Sequence, residues 1–597
     1  MILFYEERKD QDVEVKMRKK KGVAVLGIVL LIVIVIVGIA GFLLAKKYMP
    51  SREMADLQQY YEIEQEDEIP VILNQEIAET KGIQREGNVY FPLEMVKELF
   101  NDRFYYDYKE DILIYTMPTE MHCVAPGDTG YTLYDNFAGD NKAYEKDYGI
   151  PIVLKENDTV YIEAYNFLMD YMYDIGNVQI TGEPQRIVIQ TIDWLQNAEY
   201  ATVTKKTALR KLGGVKSPVL RTLEEEESVV VKEVYDNWVE VVTQDGFVGY
   251  VQNKRINMME GKTWEWAEAK EEPQFTNLVR DKKINLAWHQ STSLQANAKI
   301  TEVLAGTSGI NVISPTWFAL SDNNGNFTSL GEKWYVDTLH GMGIEVWGLI
   351  SNFEHDMDTA EVLCYTSKRQ YLIRNLIEQS KALGLDGINL DFEQISVDYG
   401  EDYIQFVREL SVACRLNGLV LSVDNYVPTG YTAHYNRKEQ GIFADYVIIM
   451  GYDEHYSGSE TAGSVASIGF VKEGIEMTLE EVAPEKVINA IPFYTRIWKE
   501  VPTGDGGIEL SCEAAGMERV EKLLSELNVN AGWNEECAQF YAEYELEGAT
   551  YKIWLENEIS IEEKMKLIQE NNLAGVAEWK LGFQKNSVWD VINRYLQ

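Results

Sequence analysis

The sequence is poor in cysteine, proline and positive charge, and each shortage excludes a class of protein. Five cysteines in 597 residues exclude a small scaffold held together by disulfides. With 14 prolines and 43 glycines there is no collagen-like or low-complexity bias. The 55 lysines and arginines face 96 aspartates and glutamates, a net charge of -41. A phosphate backbone would be repelled by this charge, so nucleic acid is not expected as a partner.

Apolar and aromatic residues are abundant instead. Hydrophobic residues make up 46% of the chain and aromatic residues 11%, which is enough for large folded cores and too much for a disordered chain. At roughly 150 residues per domain, the length predicts about four structural units.

One apolar run near the N-terminus is long enough to cross a membrane. Residues 23–45 contain no charged side chain, and a helix of this length spans a hydrocarbon core of about 30 Å. A basic cluster, Arg18 to Lys21, precedes the run, so the positive-inside rule predicts that residues 1–22 are cytoplasmic and the rest of the chain is outside. A cleaved signal peptide is the alternative, but its apolar core is usually only about 7 to 15 residues long. We therefore expect a single-pass protein of the cell membrane.

Residues 46–195 show two different sequence patterns. Residues 46–69 are acidic and lack a core pattern, which predicts a stalk. Residues 70–195 contain two strand–helix–strand patterns, one starting at Asn88 and one at Thr159. The first copy resembles the small α+β module named after the N-terminal part of copper amine oxidases. The resemblance covers the module alone and implies no copper.

Residues 198–258 change to short alternating strands with a turn signal at Asp245-Gly246. Trp238 and Gly249-Tyr250-Val251 in this segment resemble the bacterial Src-homology-3-like domain, a small β-barrel, which implies binding to the cell wall or to a peptide. A packed spacer domain with Trp238 in its core is an equally weighted alternative. Residues 259–281 are expected to be a linker.

From residue 282 onward, apolar strands alternate with helical stretches. Eight such strands over residues 282–597 predict an α/β fold, a (β/α)8 TIM barrel with an insertion between strands seven and eight and its site at the carboxyl ends of the strands. The eight runs are INLAWH, INVISPTWF, IEVWGLIS, GINLDFE, LVLSVDNY, ADYVIIMGYDEHY, KVINAIPFYTRIW and AGVAEWKLG.

The fourth of these strands carries two acidic side chains toward one face. Side chains alternate along a strand, so if Ile388, Leu390 and Phe392 face the helices, the barrel interior receives the residues between them. These residues are Asn389, Asp391 and Glu393. A carboxylate pair inside a barrel gains nothing from packing, and the fourth strand contains no lysine or arginine to pair with it, so we interpret the pair as catalytic.

Four motifs in chain order can now be compared with a known family. They are Asp386-Gly387-Ile388-Asn389-Leu390-Asp391-Phe392-Glu393, Met450-Gly451-Tyr452-Asp453, Ile491-Pro492-Phe493-Tyr494 followed by Arg496 and Trp498, and Trp579 in the last strand. Together they resemble glycoside hydrolase family 18, which includes chitinases and endo-N-acetylglucosaminidases. Residues 452–459 and 550–558 are similar to its branch of bacterial spore and cell-wall hydrolases. The resemblance covers residues 282–597.

The resemblance implies a role for each motif residue in glycoside hydrolysis by substrate-assisted, retaining catalysis. It makes Glu393 the general acid, Asp391 the carboxylate that orients the 2-acetamido group of the substrate, and Tyr452 the partner of the acetamido carbonyl. Further substrate-binding positions are Asp386, Asn389, Asp453, Trp579, Tyr494 and Arg496. Three other tryptophans, Trp317, Trp347 and Trp498, are left open between sugar-binding and core positions.

One position departs from the family pattern. The second aspartate of the signature is Asn389 in this sequence, and an amide cannot ionise or pass a proton to Asp391. We expect Asn389 to hold Asp391 by a hydrogen bond and to keep it charged over a wider pH range.

Neither the histidines nor the cysteines predict a metal site or another cofactor. Five of the six histidines fall in the predicted barrel without H-x-x-x-H spacing, and the resembled family is metal-free. They are His289, His340, His355, His434 and His455. His122-Cys123 is a lone pair of ligand types, and we interpret it as structural. Cys512 and Cys537 lie in the expected insertion, either as a disulfide or as two free thiols.

The expected function is that of a membrane-anchored glycosidase. Its predicted partner is a cell-wall glycan with β-1,4 bonds next to N-acetylglucosamine, with peptidoglycan first and chitin-type polymer second. The alternative is a non-catalytic glycan-binding or scaffold protein of the cell wall, against which the intact Glu393 argues. The sequence makes no prediction of oligomeric state.

Overall fold

The computed structural model of the protein describes residues 3–133, 144–261, 264–353, 357–504 and 506–596. The chain folds into two compact units. The first is Met1–Met95 with Glu163–Glu271, and the second is Val96–Ile162 with Glu272–Gln597. The segment expected to be one module, residues 70–195, is therefore divided between the two units.

The first unit begins with one long helix, Leu3–Tyr48. Its part Val25–Tyr48 has a mean hydropathy of 3.3 and no buried residue. A helix of this length and composition is sufficient to cross a bilayer.

The rest of the first unit is mainly antiparallel β-structure. A four-stranded sheet has the order Ile175–Thr181, Arg186–Thr191, Val71–Leu73, Glu76–Ile77. The strands Glu68–Ile69, Gly82–Arg85 and Asn88–Pro92 pair in sequence. Helices are Leu57–Tyr60, Phe167–Asp170 and Ile192–Asn197, and Leu93–Leu99 begins in this unit.

Residues 199–258 form a seven-stranded antiparallel sheet. In sheet order the strands are Val219–Leu223, Thr207–Arg210, Val248–Gln252, Trp238–Val242, Ser228–Val234, Glu199–Val203 and Ile256–Met258, with a 3-10 turn at Asn253–Arg255. Gly246, at φ +83°, lies in the turn that was expected between two of these strands. Trp238 is half-buried.

Part of the expected stalk packs against this sheet. Tyr61 is fully buried in a cluster with Ile72, Leu220 and Phe247. The backbone N–H groups of Ser51 and Ala55 donate to Val215 and Val219. Residues 51–61 are therefore part of the folded unit, because a few apolar side chains among the acidic ones suffice to dock them.

The second unit contains the closed barrel. Its eight parallel strands pair in the chain order, and the eighth closes the barrel by pairing with both the first and the seventh. We label them β1 (Ile284–His289), β2 (Val312–Pro315), β3 (Glu345–Ser351), β4 (Gly387–Asp391), β5 (Val420–Tyr426), β6 (Tyr446–Met450), β7 (Val487–Pro492) and β8 (Gly575–Trp579). The predicted TIM barrel is confirmed.

Helices cover the outside of the barrel. They are Leu294–Asn297, Ile300–Val303, Lys333–Gly341, Ala360–Leu363, Thr366–Leu383, Gly400–Leu416, Arg437–Phe443, Ile468–Leu479, Glu558–Glu570 and Val588–Tyr595, with 3-10 turns at Val397–Tyr399, Gly430–Tyr435 and Pro484–Lys486. One apolar core fills the barrel around Trp288, Trp347 and Tyr446, and a second lies between the strands and the helices.

An inserted sheet separates β7 from β8, as expected. Its strands have the order Ile508–Gly516, Tyr494–Pro502, Ala549–Leu555, Gln539–Leu546, Gly532–Asn534, and the helix Met517–Leu527 packs on it. Cys512 and Cys537 are both free thiols in the structure.

Three further sets of strands belong to the second unit. One is a sheet of Tyr105–Asp107, Ile112–Thr116, Met121–Val124, Gly130–Leu133 and Lys146–Asp147. The others are the pairs Val153–Glu156 with Thr159–Glu163, and Phe318–Leu320 with Phe327–Ser329. His122 is buried, stacks on Tyr131 and contacts Glu120.

The sheet that begins with the strand Tyr105–Asp107 packs on the helices of the barrel. Asp107 accepts hydrogen bonds from the backbone N–H and hydroxyl of Thr366, both at 2.6 Å, and so caps a barrel helix from a distant segment. The buried Arg369 donates to the Tyr105 hydroxyl at 3.2 Å and pairs with Glu409 at 2.9 Å. This segment is a structural part of the barrel unit.

Candidate active site

The candidate site lies at the carboxyl end of the barrel, where β4 and β5 run side by side. Asn389 and Ser422 are register partners in these parallel strands. Each step of two residues along both strands leads to the next inward pair. From the barrel floor to its mouth, the three inward pairs are Asn389–Ser422, Asp391–Asp424 and Glu393–Tyr426. The predicted facing of β4 is confirmed, because Ile388, Leu390 and Phe392 pack in the helix-side core.

Asn389 is fully buried in the floor and uses its whole amide within the protein. Its Oδ1 accepts from Trp288 Nε1 at 2.8 Å and from Ser314 Oγ at 2.9 Å. Its Nδ2 donates to Ser422 Oγ at 3.1 Å and to Asp424 Oδ1 at 2.8 Å. The expected hydrogen bond from Asn389 to Asp391 is wrong: the amide points across to the neighbouring strand. Asn389 therefore positions the Asp424 carboxyl group above it.

Asp391 is the next inward residue of β4 toward the barrel mouth and is 6% exposed. Its Oδ1 is buried and accepts no hydrogen bond from the described part of the chain. Burial holds the pKa of Asp391 well above its usual value, and the negative charges of Asp424 and Glu393 raise it further. Burial likewise raises the pKa of Asp424 strongly; the Asn389 hydrogen bond opposes this, and Glu393 adds to it.

Glu393 reaches the mouth of the barrel and is half-exposed. The Tyr426 hydroxyl donates to its Oε2 at 2.6 Å. Asn352, just past β3, accepts from the Glu393 N–H at 2.9 Å and donates to its carbonyl at 2.9 Å, so the backbone is fixed where β4 ends. Burial raises the pKa of Glu393, the Tyr426 hydrogen bond opposes this, and the charge of Asp453 adds to it.

A second cluster lies beyond β6. Asp453 has φ +58°, a left-handed conformation, and its Oδ1 accepts from Tyr494 Oη at 2.6 Å and from Arg496 Nη2 at 2.7 Å. Both donors come from the first strand of the inserted sheet. The structure thus brings together three residues that were expected to bind substrate.

Two aromatic side chains complete the mouth. Tyr452 follows β6, and burial holds the pKa of its hydroxyl well above the usual value. Trp579 ends β8 and meets Trp288 edge to face, with ring centroids 5.8 Å apart. Because Trp288 also donates to Asn389, the tryptophan pair is linked to the same buried asparagine as the carboxyl groups.

Four residues considered from the sequence lie elsewhere. Asp386 precedes β4, where its Oδ2 accepts from the Val346 N–H at 2.8 Å and contacts His340 at 2.8 Å. Five residues of strand, roughly 16 Å, separate it from Asp391, so the expectation of substrate binding is corrected to a structural role at the amino end of the barrel. Three tryptophans are buried core residues, namely Trp317, Trp347 and Trp498. His355 lies outside the described residues.

A cavity of about 630 Å³ opens beside Glu393, between the segments that follow β3 and β4. Its lining is mixed, with apolar side chains at Phe353, Leu363 and Tyr399 and polar ones at Asn352 and Thr359. Phe353 is 49% exposed. The volume is that of a typical small-ligand site, and Glu393 is one of its lining residues.

Sequence reasoning missed Asp424, Tyr426 and Asn352. The signal for the first two was present, because Ser422, Asp424 and Tyr426 alternate along the fifth strand as polar residues do on an inward face. Asn352 follows β3 in a loop, where no periodicity marks it.

Comparison with known proteins finds similarity in the region that contains most of this site. Residues 350–584 match the family described as glycosyl hydrolases family 18. The cortical fragment-lytic enzyme of Bacillus subtilis (strain 168) is 28% identical over 232 residues, which cover 38% of this chain and 52% of that protein. The glycosylase YvbX of the same organism is 26% identical over 266 residues, covering 42% and 75%.

Part of the chain is also similar to solved structures. The spore cortex-lytic enzyme SleL of Bacillus cereus is 20% identical, and the match covers 57% of this chain and 79% of that one with a TM-score of 0.47. The chain spans about half the length of two of its curated relatives, 53% and 52%.

Proposed function

We propose, because the chain carries a domain of glycosyl hydrolases family 18, that its barrel hydrolyses β-1,4 glycosidic bonds next to an N-acetylated sugar. The observation that carries this proposal is the ladder of acidic side chains on β4 and β5, in which a half-exposed glutamic acid stands above a buried aspartate. A glycosidase needs a proton donor at the leaving oxygen and a group that stabilises the positive charge of the sugar ring.

Glu393 is the proton donor in this proposal. Burial raises its pKa, so a larger fraction carries the proton near neutral pH than for an ordinary glutamic acid. Its position at the barrel mouth allows contact with a polymer that lies across the opening.

Asp391 stabilises the reacting sugar. In substrate-assisted catalysis the 2-acetamido oxygen attacks the anomeric carbon, so the enzyme supplies no nucleophile and the configuration is retained. The Asp391 carboxylate, two residues before Glu393 on the same face of β4, orients the acetamide and stabilises the nitrogen of the oxazolinium ion. The Tyr452 hydroxyl donates to the acetamido carbonyl.

The remaining mouth residues hold the sugar chain. Trp579 stacks beneath the ring of the reacting sugar, and Asp453, held by Tyr494 and Arg496, accepts hydrogen bonds from its hydroxyl groups. The cavity beside Glu393 receives the leaving part of the polymer, because the group that protonates the leaving oxygen lines it.

Peptidoglycan is the proposed polymer, with chitin-type glycan second. Two features support this choice: relatives that are named as cortical fragment-lytic enzymes, and an apolar helix near the N-terminus that would hold the barrel close to the wall. We propose that this helix is an uncleaved anchor, with residues 1–22 in the cytoplasm and the barrel outside.

The Glu393→Gln variant tests the proposal. The full chain in detergent is assayed for release of reducing ends from peptidoglycan and from chitin oligomers, with products identified by mass spectrometry. Loss of a general acid lowers kcat by about 10²- to 10⁴-fold. Glu378→Gln, an exposed position on the helix Thr366–Leu383, is the matched control and should stay at the wild-type rate. If the wild type releases no reducing ends from either polymer but binds them, the chain is a glycan-binding scaffold instead.

A further inference from the structure

Asp391 and Asp424 form one inward-facing pair of buried carboxyl groups in the barrel, and no cation pairs with them in the described part of the chain. Asp424 is 3% exposed and Asp391 is 6% exposed. In the part of the chain that the structure describes, no lysine, arginine or histidine pairs with either of them. Two adjacent carboxylates cannot both be charged in a dry site without a large penalty. At least one proton must therefore reside on this pair when the protein is folded.

The hydrogen bonds around the pair show which oxygen is free to carry that proton. Asp424 Oδ1 accepts from Asn389 Nδ2, which leaves Oδ2 of Asp424 as the remaining oxygen. Opposite Asp424, Asp391 Oδ1 is buried and accepts no hydrogen bond from the described residues. An O–H on Asp424 would satisfy this orphaned oxygen, whereas a charged Asp424 would oppose it.

We propose that Asp424 keeps one proton, which it shares with Asp391, and thereby acts as a positioning residue that holds the Asp391 carboxylate ready for the substrate. The proposal rests on the function proposed above for Asp391. It also explains Asn389: the carboxyl group that this position lacks lies on the neighbouring strand, and the amide donates to it while accepting from Trp288 and Ser314.

Among the described residues, no other titratable group donates a hydrogen bond to Asp391 or Asp424 or forms an ion pair with them. Glu393 stands above the pair and is acidic itself. The guanidinium of Arg437 donates hydrogen bonds to the carbonyls of Tyr426 and Thr432 and to the Thr432 hydroxyl. Burial raises the pKa of three tyrosine hydroxyls that lie near enough for the charges of this carboxyl cluster to raise it further. They are Tyr403 from the helix Gly400–Leu416, Tyr435 from the turn after β5, and Tyr452 from the end of β6.

The test compares Asp424→Asn with Asp424→Val in the full-length protein. An asparagine keeps an acceptor for Asn389 and offers a fixed donor to Asp391, so kcat on the pH plateau should stay within about threefold of the wild type. Valine removes the donor, and loss of one hydrogen bond to a charged group should lower kcat by about ten- to a hundredfold. Asn389→Asp, which removes the donor to Asp424, should also lower the rate.

The pH profile separates a shared proton from a charged Asp424. A shared proton makes Asp391 hard to protonate further, so weakening the donor should move the acid limb of kcat to higher pH, slightly in Asp424→Asn and more in Asp424→Val. If Asp424 is charged in the wild type, its removal relieves repulsion, and the acid limb moves to lower pH. That result, or an unchanged limb, would overturn the proposal.

Infrared difference spectroscopy gives a readout that does not depend on activity. The C=O stretch of a protonated buried carboxyl group should be lost in Asp424→Asn at neutral pH, since the variant has no proton to share and Asp391 is then charged. If the variant loses only carboxylate bands, Asp424 was ionised and the proposal fails. Because this measurement needs no substrate, its result stands even if the chain proves not to hydrolyse glycans.

Discussion

At the scale of single residues, the structure separates two acids that are adjacent on one strand face. Asp391 and Glu393 differ by two positions, yet one is buried in the barrel and the other is half-exposed at its mouth. Environment, and not residue type, gives a carboxyl group its role. The half-exposed group suits proton donation to a polymer, and the buried group suits stabilisation of charge on a sugar that excludes water.

The Tyr426→Phe variant tests how the pKa of the acid is set. The Tyr426 hydroxyl donates to Glu393 Oε2 at 2.6 Å and lowers the pKa of Glu393 against the effect of burial. Without the hydroxyl that pKa rises further, because the hydrogen bond stabilises the charged form of Glu393. Glu393 acts in its protonated form, so the alkaline limb of kcat should move to higher pH.

Tyr431→Phe is the matched control for this profile, because Tyr431 lies five residues away and is 94% exposed. It should leave both limbs unchanged. An alkaline limb in Tyr426→Phe that stays in place or moves to lower pH would show that Glu393 is not the titrating acid.

The sequence predicted the facing of β4 correctly because alternation is a local property of a strand. It could not predict the partner of Asn389, since that depends on which side chain of β5 stands at the same height. It also assigned Asp386 to the substrate by its place in the motif. Motif spacing counts residues along the chain, and in an extended strand five residues lead from one end of the barrel to the other.

At the scale of elements, the inserted sheet between β7 and β8 is connected to the barrel through a buried ion pair. Glu556 follows the last strand of the insertion, and Lys564 lies on the helix Glu558–Glu570. Their charged groups are 3.0 Å apart, and both side chains are 1% exposed. Ser560 and Gln539 donate to the same carboxylate, so the pair is well supported by hydrogen bonds.

Lys564→Met should therefore destabilise the protein strongly. Removing one partner leaves Glu556 buried and unpaired, at a cost of about 3–5 kcal/mol in the free energy of unfolding at neutral pH. Burial already holds the pKa of Glu556 above its usual value, and Lys564 lowers it. Without Lys564 that pKa rises further, so the loss should shrink as the pH falls toward about 4.3. Urea unfolding at pH 7 and pH 5 measures both effects.

Two further variants make this test specific. Lys566→Met breaks a surface pair with Glu563, in which the side chains are 42% and 33% exposed, and should cost less than about 1 kcal/mol. The double variant Lys564→Met/Glu556→Gln should recover part of the lost stability, because it buries no lone charge. Equal losses for Lys564→Met and Lys566→Met would contradict the argument.

At the scale of the whole molecule, the barrel was predictable but its structural partners were not. The strand and helix pattern from residue 282 onward is local and periodic, and the barrel was confirmed. The packing of residues 105–147 on the barrel depends on contacts such as Asp107 with Thr366, which are 259 residues apart. No periodicity of the sequence encodes such a pair, so the segment was assigned to a separate module.

Charge is distributed unevenly between the first 50 residues and the rest of the chain. The first 50 residues contain nine lysines and arginines against five acidic residues, and the other 547 contain 46 against 91. The acidity thus belongs to the part that we propose to lie outside the membrane. Beside an anionic wall polymer, a negative surface limits unspecific adsorption.

An uncleaved anchor predicts where the full chain is found and how it is oriented. Expressed in bacterial cells with a C-terminal tag, the intact chain of 68.4 kDa should sediment with the membranes and resist a high-salt wash. External protease should remove the tagged part from spheroplasts, because the basic cluster before the helix remains in the cytoplasm. Replacing Arg18, Lys19, Lys20 and Lys21 by glutamate should reduce this exposure, while the same change at Lys46 and Lys47 should not. A shorter tagged chain in the soluble fraction would instead identify the apolar run as a cleaved signal peptide.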